Sequence, residues 1–273
     1  MTFVETLKAR WKAADTLLCV GLDPDPAQFP PRLRSNADPI FEFCRSIVDA
    51  TAHYVCAFKP QIAYFASARA EDALQRLISY IREAYPAVPV ILDAKRGDMA
   101  STAEHYAREV FERYNAHAVT LSPYLGLDSI EPYLAYADRG AFLLCRTSNP
   151  GGDDLQMLDV AGERLYERVA WLAAEWNRGG QLGLVVGATY PIELARVREL
   201  VGDMPLLVPG IGAQGGNVEA SVKAGQSSDG TGIVVNSSRA IIYASGGDDF
   251  GAAARRAAQN ARDEINRYRY ATV

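Results

Sequence analysis

Residues 90–102 read VILDAKRGDMAST: an apolar strand, Val90-Ile91-Leu92, runs directly into Asp93, Lys95, Arg96 and Asp98. An unpaired buried charge is costly, so four charges at the end of such a strand need a reason. Asp93 and Lys95 stand two apart, which on a regular strand points both side chains the same way. Gly97 permits a sharp turn that throws Asp98 off that line into the next loop. A structural ion pair is the plain alternative. An exposed pair stabilises little, however, and a buried one often costs more than an apolar replacement. With Lys59 at another strand end nearby, the group reads as an electrostatic device.

A second stretch, PGIGAQGG (209–216), offers glycines, among them Gly210 and Gly212, whose bare backbone approaches a ligand and turns N–H groups toward an anion. The plain alternative is a turn. Arg239, in NSSR (236–239), follows one strand–helix unit later, where a guanidinium fork suits a phosphate. Asp23, Lys59, Asp93, Ser122, Ser148 and these two loops all follow apolar runs. Singly each is a solvated loop end; together they describe one polar rim.

The elements that carry this rim repeat. Apolar runs fall at 17–22, 55–59, 88–95, 118–122, 141–147, 182–188, 205–211 and 232–237. Helical periodicity occupies 41–54, 71–85, 101–114, 161–177, 192–200 and 250–270, and an amphipathic helix opens the chain at 1–15. Strands apolar on both faces, alternating with helices, imply a covered parallel sheet. Eight such units predict one (β/α)8 TIM barrel over residues 1–273, a doubly wound sheet being the alternative. The Pro-rich stretch 23–33 reads as a long loop.

The net charge of −5 and pI near 5.3 argue against nucleic-acid or anionic-membrane surfaces, so any phosphate must be held locally. No apolar run is long enough to span a bilayer. Four scattered cysteines without a CxxC pair suggest reduced, buried thiols in the cytoplasm. Three histidines without ligand spacing predict no transition-metal site.

Asp93-Ala-Lys95-Arg-Gly-Asp98 resembles the Asp-x-Lys-x-x-Asp motif of the orotidine 5'-phosphate decarboxylases. The likeness extends, in order, to LCVGLDP (18–24), AFKPQ (57–61), RTSNPGG (146–152), VPGIGAQGG (208–216) and VNSSRAIIYA (235–244), and looks most like the longer bacterial-type branch. It implies a cofactor-free, metal-free enzyme turning orotidine 5'-monophosphate into UMP and CO2. Asp23 and Lys59 would then bind ribose hydroxyls, with Lys59 also pairing Asp93. Lys95 would give the proton to C6, and Asp93 would lie beside the departing carboxylate. Asp98 and Thr102 would reach the substrate of the neighbouring subunit in a homodimer with shared sites. Ser148 would read the pyrimidine amide edge, Gln214 would bridge base and phosphate, and Gly210, Gly212, Ser238 and Arg239 would hold the phosphate. Many relatives carry glycine where Ser238 stands, which leaves a backbone N–H there but changes the side chain. Sister barrels with the same strand motif, the 3-keto-hexulose-phosphate synthases and keto-gulonate-phosphate decarboxylases, use Mg²⁺ to stabilise an enediolate; RTSNPGG and the Gln214 loop speak against them.

Overall fold

The computed structural model describes residues 1–211 and 216–269. Eight parallel strands form one sheet: β1 (Leu18–Leu22), β2 (Ala57–Pro60), β3 (Ile91–Arg96), β4 (Ala118–Leu121), β5 (Gly140–Arg146), β6 (Leu182–Val186), β7 (Leu206–Pro209) and β8 (Ile233–Ser237). Neighbours run β2-β1-β8-β7-β6-β5-β4-β3. Parallel bridges Phe58↔Val90 and Gln61↔Asp93 join the two ends, so the sheet closes on itself. The barrel, not the open doubly wound sheet, is the fold.

Closure follows from composition. Strands such as LCVGL and LGLVV are buried along their whole length, so each face needs a cover. Helices supply the outer one. In Glu71–Ala84 the stripe Leu74, Leu77, Ile78 and Ile81 recurs at helical spacing and is buried against the sheet. The opening helix, Phe3–Ala13, starts with a capping box between Thr2 and Glu5 and buries Phe3, Leu7 and Trp11. Phe3 meets Phe142 edge-on at 5.8 Å. It fits because Gly140, at the start of β5, has no Cβ; one built there would lie 2.3 Å from the Phe3 ring. This packing covers the end where the strands begin and leaves the end where they finish for loops.

The expected helix over 101–114 is α-helical only from Ala100 to Arg108, then widens into a π turn over Glu109–Arg113. There Glu109 forks onto Arg96 at 2.8 and 3.1 Å, while Arg96 also stacks over Tyr106. Residues 161–164, expected to open a helix, instead belong to a ribbon pairing Asp159–Val160 with Glu163–Arg164. Positive φ at Ala161 and Gly162 makes the turn, and the helix begins at Leu165. A helix over Val218–Gly225, capped by Asn217, gave no sequence signal, because its small residues offer little apolar contrast.

Candidate active site

The charged cluster is brought together at a break in the β3 ladder. On β3 the ladder to β4 pairs Leu92 with Val119 and next pairs Arg96 with Leu121, so β3 carries two extra residues opposite Thr120. The excess is a bulge, and Lys95 within it takes the left-handed φ of +46°. Asp93 and Lys95 therefore meet through a bulge and not through the simple alternation of a regular strand. The Thr120 hydroxyl accepts from Ala94 N and Lys95 N, both at 3.0 Å, and donates to Asp93 Oδ1 at 2.9 Å.

The Asp93 carboxylate accepts from two ammonium groups, Lys59 Nζ at 2.7 Å on Oδ2 and Lys95 Nζ at 2.6 Å on Oδ1. Their surroundings differ. The Lys59 side chain is 5% exposed, whereas that of Lys95 is 47% exposed and open to a ligand. Arg96 is turned away to Glu109, so its charge is spent outside the cluster.

Around this trio lies a cavity of about 630 Å³ at the strands' C-terminal ends. Asp23, Lys59, Asp93, Lys95, Ser148, Gly210, Ser238 and Arg239, all expected site residues, line it. The Asp23 backbone is fixed because its carbonyl accepts from the Tyr243 hydroxyl at 2.8 Å, and that hydroxyl in turn accepts from Asp25 N. One Asp23 carboxylate oxygen is buried without a protein partner, an acceptor poised for a ligand donor. The glycine loop is pinned at its base by Gly216 N donating to Gly210 O at 3.1 Å. Gly212 and Gln214 lie outside the described residues.

Asp98 and Thr102 are not among the cavity's lining residues. Asp98 is half-buried, accepting from Met99 N at 2.9 Å, and Thr102 is exposed on the helix Ala100–Arg108. Sequence reasoning missed Gln61, Thr120, Gln156 and Asn236, which also line the cavity. Asn236 lay in a quoted motif, and its side-chain oxygen is buried without a partner. Thr120 passed for an ordinary β-branched strand residue. Among the described residues, no three His, Cys, Asp or Glu side chains gather as metal ligands.

A sequence model of the orotidine 5'-phosphate decarboxylase / HUMPS family matches residues 16–257. The chain is 65% identical over 270 residues to an orotidine 5'-phosphate decarboxylase of Dechloromonas aromatica, covering 98% of this chain and all of that one. It is 66% identical over the same length to one of Azoarcus. Among solved structures, the OMP decarboxylase of Leishmania donovani superposes with TM-score 0.86 at 42% identity, each chain covered in full. The UMP synthase of the same organism gives 0.88 at 44%, with this chain covering 57% of that longer one.

Burial works against the charges of both Asp93 and Lys59, and pairing overcomes it in each. The ammoniums of Lys59 and Lys95 hold the Asp93 carboxyl well below the usual carboxylate range. Asp93 and Asp23 hold Lys59 above its ordinary value. Because the folded pKa of Asp93 is depressed, its stabilisation is fully present above its unfolded value of about 4 and is lost as pH falls through the folded value. Asp93→Asn, which leaves Lys59 buried without its counter-charge, should destabilise at pH 7 by roughly 3–5 kcal/mol. Urea unfolding should show the gap between variant and wild type narrowing below about pH 4. A gap constant from pH 7 to pH 3 would rule out an ionised, paired Asp93.

Proposed function

The chain belongs to the orotidine 5'-phosphate decarboxylase / HUMPS family, and from that premise we propose how its own residues carry out the reaction. It decarboxylates orotidine 5'-monophosphate to UMP and CO2 in pyrimidine biosynthesis. Residues 1–273 act as one catalytic domain. Breaking the bond from C6 to the carboxylate leaves the electron pair on C6, in the ring plane, with no adjacent π system to spread it. That localised charge requires a fixed positive group. Lys95 supplies it and then transfers a proton from Nζ to C6; solvent restores the proton to Lys95. Asp93 lies against the substrate carboxylate, which disfavours the ground state.

One observation carries this reading: the Asp93 carboxylate is bonded to two ammoniums at once, and the more exposed of them, Lys95, faces the cavity. Two positive charges against one negative leave the cluster with a net positive charge, which suits a nascent carbanion. Asp23, with its unpartnered buried oxygen, accepts from a ribose hydroxyl, and Lys59 donates to another. Ser148 reads the pyrimidine amide edge. Arg239, with the backbone at Gly210, Gly212 and Ser238, takes the phosphate, and Gln214 bridges phosphate and base. Phosphate binding far from C6 then helps to order the charged site.

Asp98 and Thr102 act in the partner's site of a homodimer. Their position outside the cavity supports this, as does exposed apolar surface at neighbouring Met99. No helix among the described residues is long and apolar enough to cross a membrane. Four free, buried cysteines suit a reducing cytoplasm, where we place the enzyme. Neither cofactor nor metal enters these steps.

Purified protein should therefore abolish the orotate absorbance of orotidine 5'-monophosphate at the same rate with and without excess EDTA. Activity that EDTA abolishes and Mg²⁺ restores would move the chain to the metal-dependent sister enzymes.

The shared site is tested by mixing Lys95→Ala and Asp98→Ala proteins, each inactive alone. After random subunit exchange half the dimers are mixed, and one of their two sites has both residues intact. About a quarter of wild-type activity should return. No recovery after demonstrated exchange would place Asp98 in its own chain's site.

A further inference from the structure

We propose that Thr120 is a positioning residue for the decarboxylation, its hydroxyl holding the β3 bulge in the shape that aims Lys95. The inference rests on the role given to Lys95 above. Thr120 sits on β4 between two unlike neighbours. Toward β5 the ladder is regular and pairs Thr120 with Phe142, which fixes its backbone. Toward β3 the ladder is broken: Leu92 pairs with Val119 and Arg96 with Leu121, so Asp93, Ala94 and Lys95 bulge across from Thr120 and none is in register with it. The N–H groups of Ala94 and Lys95, which on a regular strand would point to opposite sides, both turn toward Thr120.

The Thr120 hydroxyl receives them both. It accepts from Ala94 N and Lys95 N, both at 3.0 Å, and donates to Asp93 Oδ1 at 2.9 Å. A hydroxyl has one hydrogen to give and two lone pairs, and here all three are used. The side chain is 1% exposed, so water cannot readily replace any of them. Because Asp93 is ionised, the direction of the third bond is fixed: Thr120 must be the donor. One buried atom thus ties together the backbone of Lys95, held at a φ of +46°, and the carboxylate that receives the Lys95 ammonium.

Although Thr120 lines the cavity, its hydroxyl has no bonding capacity left for a substrate. Its effect must pass through Asp93 and Lys95. Losing the hydroxyl would orphan two N–H groups, free the bulge to relax and shift Nζ relative to C6. A displacement of about 1 Å at a reacting group costs on the order of a hundredfold in rate. Substrate affinity, set mainly at the phosphate and ribose, should scarcely move.

The test compares Thr120→Val, Thr120→Ala and Thr120→Ser, with kcat and KM measured on orotidine 5'-monophosphate and folding checked by thermal unfolding. Valine keeps the shape of threonine without the hydroxyl. Valine and alanine should lower kcat by about ten- to a hundredfold with KM within threefold, whereas serine should stay within threefold of wild type. If valine does not fold, alanine against serine decides by the same margins. A folded valine variant keeping more than half of wild-type kcat, or serine falling as far as alanine, would overturn the proposal. Such results with an active wild type leave the decarboxylase reading standing; an inactive wild type would overturn both.

Discussion

The bonds from Lys59 and Lys95 to the Asp93 carboxylate, 2.7 and 2.6 Å long, govern how the rest of the barrel is built. A lone ionised carboxylate at that depth would cost more than the 5–15 kcal/mol or so by which folded proteins are stable. Asp93 is kept ionised because three strands each contribute to it: β2 brings Lys59, β3 brings Lys95, and β4 brings the Thr120 hydroxyl. In this strand order β2 and β3 are the two ends, so only closure puts them side by side, and the Gln61↔Asp93 bridge lies at that seam. Closure and charge pairing are thus one constraint. The pairing also sets an asymmetry, with Lys59 enclosed and Lys95 presented to the cavity.

Around that centre the remaining loops each have an anchor of their own. The loop after β1 is clamped through Tyr243, whose ring stacks on Phe43, so Asp23 is held by aromatic packing behind it. The loop after β5 is anchored by Arg146, buried and lying 3.6 Å over the Tyr190 ring, with Thr147 N donating to Gln156. The loop after β7 is pinned where Gly216 meets Gly210. Residues beside these anchors, among them Asp23, Ser148 and Gly210, line the cavity, as binding loops on a scaffold do. In the proposed reaction, substrate binding energy gathered at the phosphate is used at C6 without rebuilding the charged trio.

Most of this was legible in the residues. Eight apolar runs marked the eight strands of the barrel, since a strand buried on both faces leaves a continuous hydrophobic trace, whereas the exposed ribbon at 159–164 left none. The cavity was legible because Asp93, Lys95 and Arg239 are chemically out of place beside such strands; Asp98, read together with them, does not line it. What the residues did not disclose was geometry that depends on neighbours. The period of two predicted that Asp93 and Lys95 share a face; they do meet, but through a bulge that depends on Thr120, and nothing in AVTLS marks that threonine as more than a strand former. Arg96 looked like a member of the cluster until the π turn over Glu109–Arg113 supplied its partner. The helix at Val218–Gly225 is set by packing against its neighbours more than by its own pattern.

The central claim is that the Lys95 ammonium stabilises the charge left at C6 and then delivers the proton. Single-turnover decarboxylation by Lys95→Ala, with UMP affinity measured in parallel, tests it most directly. Loss of one preorganised electrostatic group costs roughly a hundred- to a thousandfold in other enzymes, and here the same group is also the acid. Turnover should therefore fall by several powers of ten while UMP still binds within about tenfold of wild type. A variant retaining a tenth of wild-type turnover would contradict the account.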